Sequence, residues 1–183
     1  RSSDLGFDIR NLLHAQGSTP SSLWGRRIHS SRDGRTITLA VEGGAKIVNL
    51  SLGSAAPSAL VRRVIQAHHN NGVLFIGAAG NAPVTSNEYP AAYPEVMAVT
   101  AISPDGELTD YANRGNFVDV AERGTQPVRF NNRTYSTTGT SGSTAYISGM
   151  AAALATQHGK KPHEIREMII KNRPFVPPKK EDK

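Results

Sequence analysis

Three nearly continuous apolar runs constrain this chain most. They are Ala45-Lys46-Ile47-Val48-Asn49-Leu50-Ser51-Leu52-Gly53, Val73-Leu74-Phe75-Ile76-Gly77-Ala78-Ala79 and Val96-Met97-Ala98-Val99-Thr100-Ala101-Ile102. Runs without polar alternation read as strands buried on both faces of a parallel sheet. Parallel strands need crossover connections, usually helices. Between the first two runs, Pro57 opens a segment with Val61, Val64, Ile65 and His68 at helical spacing, and Asn71-Gly72 closes it. Upstream, Asp33-Gly34 reads as a turn and residues 36–42 as a helix stopped by Gly43-Gly44. Residues 117–120 read as a fourth short strand, 128–138 as a hairpin around Asn131-Asn132, and 162–171 as a last helix. Near the start, Leu5, Ile9, Leu12 and Leu13 fall at helical spacing, and residues 23–28 read as a short strand. The alternation means an α/β domain with a mostly parallel sheet. In such sheets ligands bind beyond the carboxyl ends of the strands.

The 183 residues suit about one domain, placed at 1–173, with a basic Pro/Lys-rich tail at 174–183 expected to be disordered. The net charge of +6 gathers late, at Lys160, Lys161, Lys171, Arg173, Lys179, Lys180 and Lys183. No nucleic-acid module accompanies it, so a solvated helix end and tail is the expectation, not a nucleic-acid site. No apolar run approaches the ~20 residues of a membrane span. The opening Arg1-Ser2-Ser3-Asp4 does not read as a secretion signal. The absence of cysteine excludes disulfides, thiol catalysis and thiolate metal sites.

Candidate chemistry gathers at Gly139-Thr140-Ser141-Gly142-Ser143-Thr144-Ala145-Tyr146-Ile147-Ser148-Gly149, ahead of the apolar run 150–155. This order reads as a tight, exposed turn feeding a helix N-terminus. Ser141 there would be a helix N-cap, or a nucleophile beside unpaired N–H groups that can hold an oxyanion. Gly80-Asn81 ends the second apolar run and places a side-chain amide, a suitable oxyanion donor, at the active edge of the sheet. Ser51-Leu52-Gly53-Ser54 ends the first, where backbone groups can pair with an extended peptide.

Together and in this order, these stretches resemble the subtilisin-like serine peptidases. Residues 45–53 are similar to the family's GA-x-VINLSLG strand and 73–81 to its VAAAGN oxyanion strand. Tyr89-Pro90-Ala91-Ala92-Tyr93-Pro94, followed by Val96-Met97-Ala98-Val99, resembles YPA-x-YP…VIAV. Tyr111-Ala112-Asn113-Arg114-Gly115 resembles FS-N-x-G, and 139–149 resembles the nucleophile turn GTS-x-A-x-P-x-VAG. The likeness is collinear from about Asp33 to Lys171. It implies a three-layer α/β sandwich, with Ser141 as nucleophile and Asn81 as oxyanion donor. Ser51, Leu52 and Gly53 with Gly77, Ala78, Ala79, Gly80 and Thr140 would bind the substrate, a protein or peptide. It implies no required cofactor; structural calcium, common in the family, has Glu88, Asp105, Glu107 and Asp110 as loop acids to consider, which otherwise read as turn residues. Secretion is the family's usual fate.

There are departures. Ala145 stands at the family's proline, Tyr146 where histidine is common, and Glu122-Arg123-Gly124 in place of APG. The family's D-[ST]-G and HGT motifs, which carry the triad Asp and His, do not occur. Residues 16–23 resemble the segment that follows the catalytic helix, so 3–14 would stand in that helix's place without the histidine, and the Asp strand would be missing. Three readings stay open. The Asp and His come from a separate segment or partner chain that completes sheet and triad; the chain is an inactive relative that binds peptides or a protein partner; or one of His14, His29, His68, His69, His158 and His163 acts from an unusual place. Two sequons occur, Asn49-Leu50-Ser51, expected to be buried, and Asn132-Arg133-Thr134.

Overall fold

The structure, a computed structural model, describes residues 30–176. The helix read at 5–13, the strand at 23–28 and the tail residues 177–183 lie outside the described residues. The elements run α1 (Ser30–Glu42), β1 (Ile47–Leu50), α2 (Ala59–Asn70), β2 (Leu74–Ala78), β3 (Val96–Ile102), β4 (Val120–Arg123), β5 (Thr125–Phe130), β6 (Arg133–Thr138), α3 (Thr140–His158) and α4 (Pro162–Asn172). Strands β1-β2-β3-β4 form a parallel sheet in chain order, and β5-β6 is a separate antiparallel hairpin.

Two apolar clusters, one on each face of the sheet, make this a three-layer sandwich. Leu74, Ile76, Met97, Val99 and Val120 meet Ile147 and Ala151 of α3 and Ile165 and Ile169 of α4. On the other face, Leu50, Val73, Phe75 and Val96 meet Ile37 of α1 and Val61 and Ile65 of α2. Strand side chains alternate between faces, so an all-apolar run such as Leu74–Ala78 feeds both layers, and each of its residues is buried. Ser58 starts α2, its hydroxyl accepting from the Val61 N–H at 3.3 Å.

Four expectations need correction. Asp33-Gly34 lies inside α1 and is no turn. Gly34 faces α2, where a Cβ would stand 3.6 Å from Val64 and 3.7 Å from Leu60, ordinary contact that the helix tolerates. The fourth strand is shifted to Val120–Arg123, because Asp119 meets β3 partly through its side chain, whose Oδ2 accepts from the Ala98 N–H at 2.9 Å. β1 is not buried on both faces. It pairs only with β2 among the described residues; Ile47 and Val48 are half-buried and Asn49 is exposed. Finally, Pro174 and Phe175, read as the start of a disordered tail, pair with β4: Pro174 bridges Val120, and the Phe175 N–H donates to Asp119 O at 3.1 Å. Among the described residues, no helix is long and apolar enough to cross a membrane.

Candidate active site

In a parallel sheet all strand ends of one kind fall on one edge. The segment 51–54 continues β1, residues 79–81 continue β2, and Gly124 follows β4. α3 starts on the same edge, because the Gly139 N–H donates to Gly124 O at 3.0 Å. Gly139 has φ 141°, a conformation that favours glycine, and it is the N-cap of α3. Thr140 and Ser141 are therefore the first two helical residues, so Ser141 is not the cap. Ser141 is exposed. Its N–H is one of the donors that a helix start leaves without an intrahelical acceptor, and it has no acceptor among the described residues.

Asn81 is tied to this helix start. Its Oδ1 accepts from the Thr140 N–H at 2.9 Å and from the Thr140 hydroxyl at 3.0 Å. A backbone N–H can only donate, so the atom it meets is the amide oxygen. The Asn81 Nδ2 group thus faces away, with a Cβ at Gly139 lying 3.3 Å from it. The buried Thr140 hydroxyl also accepts from the Gly80 N–H at 3.2 Å. Two N–H donors, from the Asn81 side chain and the Ser141 backbone, have no acceptor among the described residues at this helix start. Such a pair can stabilise an oxygen that becomes negative.

Asn113, noted in the sequence only as part of a turn, holds the segment after β2 in place. Its buried Nδ2 donates to Ala79 O at 2.7 Å, and its Oδ1 accepts from Ala82 N–H at 3.0 Å and Val84 N–H at 3.3 Å. Gly80, at φ 108°, has no room for a side chain, which would collide with the Asn113 amide. A buried asparagine satisfied wholly by backbone is the signal that spacing could not reveal.

The other residues named from sequence divide. Ser51 and Gly53 are exposed and Leu52 half-buried. Gly77, Ala78 and Ala79 are buried, with Ala91 and Val96 over Gly77; Gly80 is half-exposed. Thr140 lies beneath Asn81. The Ser51 hydroxyl donates to Asn49 Oδ1 at 2.8 Å, and Asn49 is exposed where the sequence suggested burial. Among the described residues, no three His, Cys, Asp or Glu side chains converge as a metal site would need. Asp105, Glu107 and Asp110 are exposed. Glu88 is instead half-buried against the segment 51–54, and burial raises its pKa.

Two departures from the family pattern meet each other. The buried Glu122 pairs with Arg173 at the end of α4, and the Arg173 guanidinium lies 5.8 Å over the Tyr146 ring. Ser143 donates to Glu122 O at 3.0 Å, joining this group to the first turn of α3.

The described histidines lie elsewhere. His158 ends α3, and a rise of 1.5 Å per residue puts it about 26 Å from Ser141 along the helix. His68 and His69 end α2, just before β2 begins, on the opposite edge of the sheet, and His69 shares a cavity of about 340 Å³ with His163 there. His14 and His29 lie outside the described residues.

Residues 20–182 match the subtilase family, peptidase S8. Thermitase of Thermoactinomyces vulgaris is 34% identical over 135 residues, covering 73% of this chain and 48% of thermitase. Halolysin of Haloferax mediterranei is 34% identical over 163 residues, covering 83% of this chain and 31% of halolysin. The chain thus spans less than half the length of these curated relatives. Among solved structures, the prenylagaramide maturation protease PagA superposes with a TM-score of 0.75 at 27% identity, over 87% of this chain and 62% of PagA. The patellamide maturation protease PatA gives 0.72 at 29% identity, over 78% of this chain and 58% of PatA.

Proposed function

The chain belongs to the subtilase family of serine proteases, and on that premise we propose that it carries the nucleophile and oxyanion donor of a subtilisin-like endopeptidase. One observation supports this reading above the rest: Thr140, the residue before the exposed Ser141, holds the Asn81 amide oxygen through both its N–H and its hydroxyl, which leaves Asn81 Nδ2 and the Ser141 N–H without acceptors among the described residues at one helix start. In this reading Ser141 Oγ bonds to the peptide carbonyl carbon as its proton passes to a histidine base. Asn81 Nδ2 and Ser141 N–H hold the oxyanion. Collapse breaks the C–N bond, the histidine returns the proton to the leaving amine, and water cleaves the acyl-serine by the same route.

The base does not come from a D-[ST]-G or HGT motif in these 183 residues. A separate segment or partner chain would supply Asp and His, and its strand would pair with the edge of β1 that has no partner strand among the described residues. Without a base the serine stays a protonated, weak nucleophile. In subtilisin itself, loss of the histidine costs about 10⁶ in turnover. The chain alone is therefore a very poor peptidase on this reading.

The exposed Ser51 and Gly53 beyond β1 support a second reading, a non-catalytic module that binds extended peptides along residues 51–54. Hydrolysis of a peptide library by the full-length gene product separates the two. Cleavage lost in S141A supports the peptidase. Peptide binding with no Ser141-dependent cleavage supports the module.

A further inference from the structure

Glu88 stands between the two strand ends that border the site. Antiparallel hydrogen bonds fix its neighbour: the Ser54 N–H donates to Tyr89 O and the Tyr89 N–H to Ser54 O, both at 2.8 Å. The Ala92 N–H donates to Glu88 O at 2.8 Å. The Glu88 side chain then occupies the space that a side chain at Gly53 would need and lies alongside Gly80. A Cβ at Gly53 would lie 2.7 Å from Glu88 Oε1 and 3.0 Å from its Cγ; one at Gly80 would lie 3.5 Å from Cγ. Gly53 closes the β1 side of the cleft, and Gly80 immediately precedes Asn81.

This carboxylate has neither a hydrogen bond nor an ion pair among the described residues. The half-buried Asp119 and the buried Glu122, by contrast, each have a cation built in, Arg166 and Arg173. Burial without a partner penalises the charge of Glu88 and raises its pKa. A cationic group entering between residues 53 and 80 would relieve that penalty and form a charge-assisted hydrogen bond.

We propose that Glu88 makes this cleft select a Lys or Arg side chain on the acyl-side residue next to the cleaved bond. The proposal rests on the peptidase reading for where the bond lies, and on Gly53, Gly80 and Glu88 for the chemistry of the pocket. Leucine or phenylalanine gains nothing from the carboxylate, and glutamate is repelled.

The test uses the full-length gene product and its E88Q and E88K variants. E88Q keeps the side-chain volume. Fluorogenic peptides differing only in the acyl-side residue (Arg, Leu or Glu) give kcat/KM, and fluorescein-labelled Arg and Leu peptides give Kd by anisotropy. In E88Q the Arg-to-Leu ratio of kcat/KM falls about tenfold or more, and the Arg-peptide Kd weakens by a similar factor. E88K moves the preference toward Glu. Hydrolysis with the same Arg-to-Leu ratio in wild type and E88Q overturns this inference and leaves the peptidase reading standing. Glu88-dependent Arg-peptide binding with no hydrolysis of any peptide supports the cationic pocket at Glu88 but overturns the peptidase reading and, with it, the assignment of that pocket to the residue beside a cleaved bond. Neither hydrolysis nor Glu88-dependent binding overturns both.

Discussion

Thr140 gives two hydrogen bonds to one oxygen of Asn81, from its N–H at 2.9 Å and its hydroxyl at 3.0 Å, across 59 residues of sequence. The hydroxyl also accepts from the Gly80 N–H. One side chain therefore ties the end of β2 to the start of α3 and turns the Asn81 amide outward. T140V keeps the backbone bond and removes the hydroxyl. The expected loss is about 1–2 kcal/mol of stability. Turnover of the full-length product should fall about tenfold with KM nearly unchanged, since an oxyanion donor acts on the transition state. T140S should restore most of it. Steady-state kinetics and urea unfolding of the three proteins check this.

Asn113 supports the same edge from below. N113A would leave Ala79 O and the N–H groups of Ala82 and Val84 without their partner. Urea unfolding should show a loss of about 3 kcal/mol, the scale of removing a buried group that several backbone atoms depend on. N113D should fail too, because a carboxylate oxygen would face Ala79 O where the amide donates.

Glu122 is buried and has Arg173 as its cation. R173M would leave that charge uncompensated. Breaking a buried pair costs about 3–5 kcal/mol, and the partial exposure of Arg173 lowers the expectation to about 2–3 kcal/mol. The double change E122M/R173M removes both charges and should recover most of the loss. Thermal unfolding of the single and double variants tests the pair, and equal loss in both would contradict it.

The raised pKa of Glu88 gives a pH dependence with a defined sign. The folded state holds this proton more tightly than the unfolded chain does. The stability of the wild type relative to E88Q therefore falls as pH rises from the unfolded value through the folded one. Selection of Arg runs the other way, because it needs the ionised carboxylate. The Arg-to-Leu ratio of kcat/KM should fall on acidification, beginning at a pH above the ordinary glutamate range, and the E88Q ratio should stay flat. Activity and unfolding profiles across pH, compared between the two proteins, check both signs.

Strands whose neighbours are all apolar were legible in the sequence. β3 has the bounds its run suggested, and β2 loses only its end residues, because burial on both faces writes itself as an unbroken apolar run. β4 was not legible. It contains Glu122, a charged residue that reads as surface until Arg173, 51 residues on, is seen to pair with it. α1 was half legible, since Asp33-Gly34 reads as a turn from its chain neighbours, while in the fold Gly34 sits inside the helix facing Val64 and Leu60 of α2. Ser141 and Asn81 stood out as motif residues. The roles of Thr140, Asn113 and Glu88 did not, because each depends on a contact made by the fold.

Fluorophosphonate labelling of the full-length gene product, followed by mass-spectrometric location of the adduct, tests the central claim most directly. A single adduct on Ser141, lost in S141A and formed at least about a hundredfold more slowly in N81A, is the predicted result. Labelling that persists unchanged in S141A, or that falls on another residue, would contradict the assignment of Ser141 and Asn81 as nucleophile and oxyanion donor.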